Sequence, residues 1–228
     1  MPASKPRSQK PATKRILLVD DHALLRRGLA TLIASEPGLA VCGEAATRQA
    51  GLDAIAAAKP DLVITDLQLK DSDGLDLIKD LKQRYPRLPV LALSMHDEAI
   101  YAERALRAGA RGYVTKQDLD DTVLTAIRRV LAGEIHTSEA MSRRFTQEFV
   151  SGGTLGKRDG LEQLSDRELA VFQLIARGKT TREIAQSLRL SVKTIESYRE
   201  HLKAKLELPS GAALSRCAIL WLETGLLR

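Results

Sequence analysis

The sequence predicts an α/β domain of five strand–helix units followed by an all-α domain of four helices. From Arg15 to Gly133, short apolar segments alternate with longer amphipathic segments, whereas from Leu161 onward the apolar spacing is helical with no strand signal. Short strands that alternate with helices of about ten or more residues indicate βαβ units and a parallel sheet with helices on both faces. We therefore expect a doubly wound domain over residues 15–133, a linker over 134–160 and a helical domain over 161–228.

The predicted strands of the first domain are short and apolar, and they cover residues 16–19, 39–43, 61–65, 90–93 and 112–115. The predicted helices between them lie near residues 22–35, 47–58, 74–84, 97–108 and 118–132. In open α/β sheets, ligands bind outside the carboxyl ends of the strands. The residues that follow each strand are therefore the first candidates for a functional site.

Capping signals define the helices of the second domain. Ser165 followed by Glu168 forms a capping box, Thr180 followed by Glu183 repeats it, and Ser191 can cap a third helix. The predicted helices cover residues 166–177, 181–188, 192–206 and 211–222. The linker before them contains the Gly-rich stretch SGGTLGKRDG and a short helix near residues 138–149.

Composition is that of a globular protein with an uneven charge. Apolar residues make up 44% and charged residues 28% of the 228 residues, and no apolar run approaches the ~18 residues of a membrane span. We expect a cytoplasmic protein that does not enter membranes, with a disordered basic tail over residues 1–14. Residues 157–228 carry 13 basic and 9 acidic residues, a balance that suits a polyanion such as nucleic acid.

Polar side chains stand at the carboxyl ends of four predicted strands: Asp20 and Asp21, Asp66, Ser94 and Lys116. Adjacent strand ends lie side by side, so these groups should converge on one crevice. Like charges crowded there repel, and a divalent cation would relieve the repulsion. Oxygen ligands with room for water suit Mg²⁺.

A carboxylate in such a crevice can act as a nucleophile on phosphorus, provided that a metal and a cation neutralise the phosphoryl oxygens. Asp66 is the central candidate, with Mg²⁺ on Asp21 and Asp66. Lys116 would pair with the phosphoryl group and the Ser94 hydroxyl would hydrogen-bond one of its oxygens. Each residue taken alone also has an ordinary interpretation as a turn residue, a helix cap or a surface charge, and one aspartate of the pair could be the N-cap of the next helix.

The segments VDDH, DLQLKDSDG, LALS and GARGYVTK resemble the flavodoxin-like receiver domain of a two-component response regulator. The resemblance implies that Asp66 accepts a phosphoryl group from a sensor histidine kinase. It also implies that the backbone carbonyl of Gln68 joins Asp20, Asp21 and Asp66 around the metal, and that Tyr113 is the aromatic that swings inward when Ser94 follows the phosphate.

Two positions depart from the receiver pattern. Lys70 stands where a proline is frequent, and Gln117 replaces the proline that usually follows the lysine. A cis bond before Gln117 would cost about 2.5–4 kcal/mol, far more than before proline. We expect neither change to abolish phosphorylation.

The third helix of the second domain carries one apolar stripe, formed by Ile195, Tyr198, Leu202 and Leu206. A three-residue turn, 189–191, joins it to the preceding helix, as in a helix-turn-helix whose second helix enters the major groove. The segment from LSDRE to HLKAKL resembles the LuxR-type helix-turn-helix. The two resemblances together indicate a transcription factor of the NarL/FixJ subfamily.

Several residues of this motif are candidates for contacts with double-stranded promoter DNA. Phosphate contacts are predicted for Arg182, Lys193, Thr194, Lys203 and Lys205, and base contacts for Glu196, Ser197 and Glu200. The last helix either packs only within its own domain or also forms the face of a homodimer that phosphorylation favours.

The sequence thus predicts a phosphorylation-controlled, DNA-binding regulator that is not an enzyme. One alternative is an aspartate-nucleophile phosphatase, although that class needs a DxD spacing after its first strand. A second alternative is a regulator whose pocket is only structural and whose DNA binding is independent of phosphorylation.

Overall fold

The computed structural model describes residues 13–69, 74–95, 98–117, 121–150, 161–188 and 190–224. Residues 1–12 of the predicted tail, Lys70, residues 151–160 of the predicted linker and Arg189 of the predicted turn lie outside the described residues. The chain divides into two compact units, Met1–Met141 and Ser142–Arg228.

A five-stranded parallel sheet forms the centre of the first unit, with the strand order β2-β1-β3-β4-β5. The strands are β1 (Lys14–Val19), β2 (Leu39–Ala45), β3 (Leu62–Asp66), β4 (Val90–Ser94) and β5 (Gly112–Thr115). The helices are α1 (Ala23–Ser35), α2 (Arg48–Ala58), α3 (Gly74–Arg84), α4 (Glu98–Ala108) and α5 (Asp121–Leu131). This alternation and strand order confirm the predicted doubly wound fold.

The strand order brings the predicted site residues to one edge of the sheet. β1 lies next to β3, and Val19 is in register with Thr65. β4 lies between β3 and β5, and Ser94 is in register with Thr115. The order reverses between β1 and β3, the place where doubly wound folds bind their ligands. The inner strands β3 and β4 are buried throughout, whereas β2 is mostly half-buried. One core joins the sheet to α1 and α5 through Leu29, Ile33, Val123 and Ile127.

The chain after α5 adds a short pairing to the free edge of β5. His136 forms an isolated parallel bridge with Gly112. The Tyr113 amide donates to the His136 carbonyl at 2.9 Å, and the His136 amide donates to the Arg111 carbonyl at 3.0 Å. A Cβ on Gly112 would lie 2.8 Å from Leu91 Cδ1 and 3.2 Å from His136 Cβ, so glycine permits this close approach. The segment predicted as the start of the linker therefore begins on the sheet.

Helices make up the rest of the described chain: α6 (Glu139–Val150), a short 3₁₀ turn (Leu161–Gln163), α7 (Asp166–Ala176), α8 (Thr181–Leu188), α9 (Val192–Lys205) and α10 (Gly211–Thr224). Both predicted capping boxes are present, at Ser165 with Glu168 and at Thr180 with Glu183. Ser191 Oγ accepts from the Thr194 amide at 3.0 Å and caps α9. These local signals set the helix starts within about a residue of their predicted positions.

The buried faces of the second unit converge on α7. Phe172 of α7 and Trp221 of α10 pack with ring centroids 5.5 Å apart. Ile195 and Leu202 supply the buried stripe of α9, while Ile184 supplies that of α8. α10 packs chiefly on α7 and secondarily on α9.

Candidate functional site

Four of the predicted site residues meet in a buried pocket at the carboxyl ends of the strands. Asp20 and Asp66 are each 2% exposed, Ser94 is fully buried and the Lys116 side chain is 3% exposed. Lys116 Nζ lies 2.7 Å from Asp20 Oδ2 and 2.7 Å from Asp66 Oδ2. One ammonium group therefore bridges the carboxylates that follow β1 and end β3, which are distant in sequence.

The backbone around Asp66 fixes the direction of its side chain. The Gln68 amide donates to Asp66 Oδ1 at 3.0 Å, and the Gly74 amide donates to the Leu67 carbonyl at 2.9 Å. A Cβ on Gly74 would lie only 2.0 Å from the Asp66 carbonyl oxygen, so the turn back into α3 requires glycine. Gln68 follows the carboxylate directly, but its role as a carbonyl ligand stays a prediction.

Burial dominates the electrostatics of Asp66. It raises the pKa of Asp66 from 3.8 to about 6, Lys116 opposes the rise, and the Asp20 carboxylate adds to it. The single ammonium is shared with Asp20 and so only partly compensates for the lost hydration. The pocket favours any additional positive charge.

His22 is the pocket residue for which sequence reasoning found no role. Its amide donates to Asp20 Oδ1 at 2.7 Å. Its Nδ1 lies 3.1 Å from Asp20 Oδ1, 3.0 Å from Asp21 Oδ1 and 3.8 Å from Asp66 Oδ2. His22 is also the N-cap residue of α1, so the alternative of an aspartate N-cap is wrong. Its position next to the acidic pair was the only signal that could have placed it in the pocket.

His22 and the three aspartates around it form a candidate metal site. One ligand atom each from Asp20, Asp21, His22 and Asp66 lies within 4.8 Å of all the others. Three carboxylates with a net negative surplus are a suitable donor set for a hard divalent cation. The residues therefore fit a bound metal ion, and the oxygen-rich set is consistent with the predicted choice of metal.

Tyr113 and Gln117 lie on either side of Lys116. The Tyr113 side chain is 1% exposed and lines a cavity of about 370 Å³ together with Glu98, Thr115, His136 and Ser138. Gln117 is exposed, and the peptide bond that precedes it is trans. The Lys116 ammonium reaches both carboxylates with this trans geometry.

The second unit presents the predicted DNA-contacting residues in two environments. Exposed positions on α8 and α9 are Arg182, Lys193, Glu196, Ser197 and Glu200. Thr194 is half-buried, and its hydroxyl lies 2.7 Å from Ser191 Oγ. Lys203 Nζ lies 2.8 Å from Glu200 Oε2 on the same helix.

Lys205 has partners within its own unit. Its Nζ lies 2.7 Å from Glu168 Oε2 and 3.0 Å from the Gln163 carbonyl oxygen. Glu168 is only 3% exposed and also accepts the Ser165 amide at 2.7 Å. Sequence reasoning assigned Lys205 to a DNA phosphate and missed this internal pairing, because the two residues are 37 positions apart.

Two family models match the chain in consecutive segments. Residues 16–128 match the response regulator receiver domain, and residues 162–218 match the bacterial regulatory proteins of the luxR family. The Transcriptional activator protein ExaE of Pseudomonas putida is 38% identical over 213 residues, which cover 93% of this chain and 98% of that protein. The chain is a response regulator of the NarL/FixJ subfamily.

Other proteins similar to the response regulator match it over different shares of its length. The Oxygen regulatory protein NreC of Staphylococcus aureus is 33% identical over 209 residues, covering 90% of this chain and 96% of that protein. A LuxR-family response regulator from Aurantimonas sp. SI85-9A1 has a solved structure with 34% identity and a TM-score of 0.57, covering 61% of this chain and 99% of that chain.

A structure of RcsB from Salmonella enterica serovar Typhimurium, bound to the promoter rprA in the presence of phosphomimetic BeF₃⁻, is 26% identical with a TM-score of 0.58. It covers 90% of this chain and 97% of that chain. The receiver domain and the LuxR-type domain make this chain a DNA-binding response regulator that acts in transcription. In the part of the response regulator that the structure describes, no helix is both long enough and apolar enough to cross a membrane.

Proposed function

We propose that a sensor histidine kinase phosphorylates Asp66 and that this phosphorylation controls DNA binding by the C-terminal domain. The observation that carries the proposal is the position of Asp66, which lies 2.7 Å from the Lys116 ammonium and within a cluster of metal-ligand atoms. With its pKa at about 6, the Asp66 carboxylate is mostly ionised at neutral pH and available as a nucleophile.

Asp21, Asp66 and the backbone carbonyl of Gln68 would hold Mg²⁺, with Asp20 alongside. When bound, the ion neutralises phosphoryl oxygens during transfer. An Asp66 carboxylate oxygen forms the new P–O bond while the P–N bond of the kinase phosphohistidine breaks and the imidazole departs. Lys116 then pairs with a phosphoryl oxygen in addition to Asp20, and the Ser94 hydroxyl donates to another.

Phosphorylation adds about −1.5 to −2 charges to the pocket. Ser94 and Tyr113 would transmit this change, since Ser94 ends β4 and Tyr113 is buried on the neighbouring strand. In the second unit, the exposed face of α9 would enter the major groove. Lys193, Thr194, Arg182 and Lys203 would contact phosphates, and Glu196, Ser197 and Glu200 would face the bases.

Lys205 has a different proposed role, because its pairing with Glu168 leaves it less available to DNA. We assign it to positioning α9. A homodimer of the phosphorylated chain would use α10, where the exposed apolar residues are Ile219, Leu220 and Leu222. A two-fold dimer would contact two half-sites and so increase affinity for a palindromic promoter.

The test is to incubate the chain with Mg²⁺ and acetyl phosphate and to measure acid-stable, base-labile phosphate. A duplex selected from a random pool by the phosphorylated chain then serves as the probe for DNA binding. We expect one phosphoryl group per wild-type chain, none on Asp66→Asn, and normal labelling of Asp76→Asn. Asp76 is a matched control because it is an exposed aspartate of α3 that pairs with Lys79.

Each competing hypothesis predicts a different result. Labelling of Asp66→Asn at the wild-type level would contradict the site assignment. An unlabelled wild-type chain that still binds the duplex would indicate a phosphorylation-independent regulator. Sustained release of phosphate from an ester substrate would indicate the phosphatase.

A further inference from the structure

We propose that Glu98 is a positioning residue that couples the phosphoacceptor pocket to the start of α6. The proposal rests on the proposed function of Asp66 and adds the route by which that site acts on the chain beyond the receiver. α6 leads along the chain toward the DNA-binding domain. A residue that fixes where α6 begins is therefore in a position to convey the state of the pocket.

One carboxylate holds the residue that caps α6. Glu98 is the first residue of α4, and its Oε1 accepts the Ser138 amide at 2.8 Å. Ser138 Oγ in turn accepts the Met141 amide at 3.1 Å, which is the hydrogen bond expected of an N-cap residue. A charged acceptor makes a stronger hydrogen bond to an amide than a neutral one does, and this exposed contact links α4 to the origin of α6.

His136 provides a second attachment two residues earlier. Its backbone pairs with Arg111 and Tyr113 at the edge of β5. Its side chain is 8% exposed, and the buried Nδ1 has no hydrogen-bond partner among the described residues. Burial of a polar nitrogen without a partner is unfavourable, so the imidazole opposes the attachment that its backbone makes. The Glu98 contact is therefore a separate attachment, which holds the segment at Ser138.

Both residues proposed to respond to phosphorylation are linked to this segment. Ser94 ends β4 and precedes Glu98 by four positions, so a shift of Ser94 toward a phosphoryl oxygen pulls on the start of α4. Tyr113 is linked by its amide, which donates to His136 at 2.9 Å. Two independent connections from the pocket therefore reach residues 136–138, immediately before α6.

The cavity beside these contacts leaves room for a rearrangement. Its volume is about 370 Å³, and its lining includes Glu98, Tyr113, His136 and Ser138. The cavity is open to solvent at Ser138, which is exposed, so the side chains there are less restricted than in the close-packed interior. A cavity bordered by both attachments allows the segment to take a second position when Ser94 and Tyr113 move.

The experiment compares the full-length wild-type chain with Glu98→Ala, Glu98→Gln and Glu103→Ala. Glutamine keeps an oxygen that can accept the Ser138 amide but removes the charge. Glu103→Ala removes another carboxylate from the same helix, one that pairs with Arg107 at 2.8 Å. Three quantities are measured: labelling by acetyl phosphate, affinity for the selected duplex with and without phosphorylation, and hydrogen exchange of the amides over residues 133–142.

We expect Glu98→Ala to be labelled within about twofold of wild type, while the gain in DNA affinity on phosphorylation falls by at least about fivefold. In Glu98→Ala, hydrogen exchange of the Ser138 and Met141 amides should be about tenfold faster than in wild type and should no longer respond to phosphorylation. Glu98→Gln should recover most of the gain, and Glu103→Ala should behave as wild type. A role limited to the stability of α4 would instead leave the phosphorylated-to-unphosphorylated affinity ratio unchanged.

The outcomes separate this proposal from the one on which it rests. If the wild-type chain is not labelled, the proposed function fails and the coupling route fails with it. If the wild-type chain is labelled and Glu98→Ala keeps the full gain in affinity, only the role of Glu98 is overturned. The same conclusion follows if phosphorylation of the wild type leaves exchange over residues 136–141 unchanged.

Discussion

Asp66 and Glu168 are two buried carboxylates that each accept from a backbone amide and a lysine, but the lysine of Asp66 also pairs with a second carboxylate. Asp66 is 2% exposed and Glu168 is 3% exposed. Burial raises the pKa of Asp66 to about 6, and the Lys116 ammonium, which is shared with the Asp20 carboxylate, offsets this rise only in part. Burial also tends to raise the pKa of Glu168, but hydrogen bonds from Lys205 and Ser165 outweigh it and the net pKa is lowered.

The difference separates the proposed phosphoacceptor from a structural carboxylate. Glu168 has enough donors within its own unit, so it stabilises the start of α7 and its contact with α9. Asp66 remains short of positive charge, which suits its proposed role as a metal ligand and phosphoacceptor. Carboxylates whose pKa is raised in this way cluster at functional sites.

Gly74→Ala tests how rigidly the backbone holds Asp66, and it should have the largest effect on stability. The added Cβ would lie 2.0 Å from the Asp66 carbonyl oxygen and 2.6 Å from Leu67 Cα, so neither neighbour can move aside as a flexible side chain could. We expect a loss of at least about 3 kcal/mol in the unfolding free energy of the receiver.

Urea unfolding followed by circular dichroism measures this loss, while fluorescence of Trp221, the single tryptophan, reports the second unit separately. Gly28→Ala is the control, since nothing lies within 4 Å of its new Cβ and it is in the interior of α1. We expect this control to be neutral or stabilising by up to about 1 kcal/mol. Equal stability of Gly74→Ala and wild type would mean that the turn after Asp66 can adapt.

Asp66→Asn should stabilise the receiver at neutral pH in metal-free buffer. Because the folded-state pKa is raised from 3.8 to about 6, the contribution of this carboxyl to stability is complete below pH 3.8 and is lost as pH rises through 6. A shift of this size corresponds to about 3 kcal/mol at pH 7.

Chemical unfolding of both forms between pH 4 and pH 8 measures the difference, which should shrink toward low pH. Added Mg²⁺ should stabilise wild type more than Asp66→Asn, since an ion that binds the folded state stabilises it by mass action. If wild type is more stable than Asp66→Asn at pH 7 without metal, then Lys116 fully offsets the lost hydration of the Asp66 carboxylate.

Glu168→Ala should destabilise the second unit by about 2 kcal/mol, because it leaves the Ser165 amide and Lys205 without their acceptor. Since the folded-state pKa is lowered, this stabilisation is present above the ordinary pKa of 4.5 and is lost as pH falls through the folded value. The pH dependence is thus opposite in sign to that of Asp66.

Trp221 fluorescence during urea unfolding checks this prediction. Glu183→Ala is the matched control from the other capping box. The Thr180 amide and hydroxyl and Lys179 lower the pKa of Glu183 to about 2, but the group is fully exposed, and solvent screens its interactions. We expect Glu183→Ala to lose much less unfolding free energy than Glu168→Ala. Equal losses would show that the helix cap, rather than the pairing with Lys205, accounts for the destabilisation by Glu168→Ala.

Local patterns were sufficient to predict most elements of the fold. Parallel strands buried on both faces have continuous apolar sequences. A capping box is a motif of four residues that marks the start of a helix. The strand-end rule also predicted the convergence of Asp20, Asp66 and Lys116, because it needs only strand positions and order.

The features that sequence reasoning missed depend on contacts between distant segments or on the orientation of one side chain. The bridge at His136 is a single residue pair, too short to have a strand pattern. The pairing of Lys205 with Glu168 joins helices that are separate in sequence. The direction of the His22 ring depends on its rotamer, which adjacent residue types do not specify.

The bridge at His136 also affects how the chain behaves in a crowded solution. An outermost strand presents backbone groups that can pair with the strand of another molecule, and proteins commonly cover such edges. On β5, the Tyr113 amide and the neighbouring Arg111 carbonyl already pair with His136. A state in which residues 133–138 leave the sheet would expose these two backbone groups to pairing with another chain, so the segment covers part of the outer edge of the sheet.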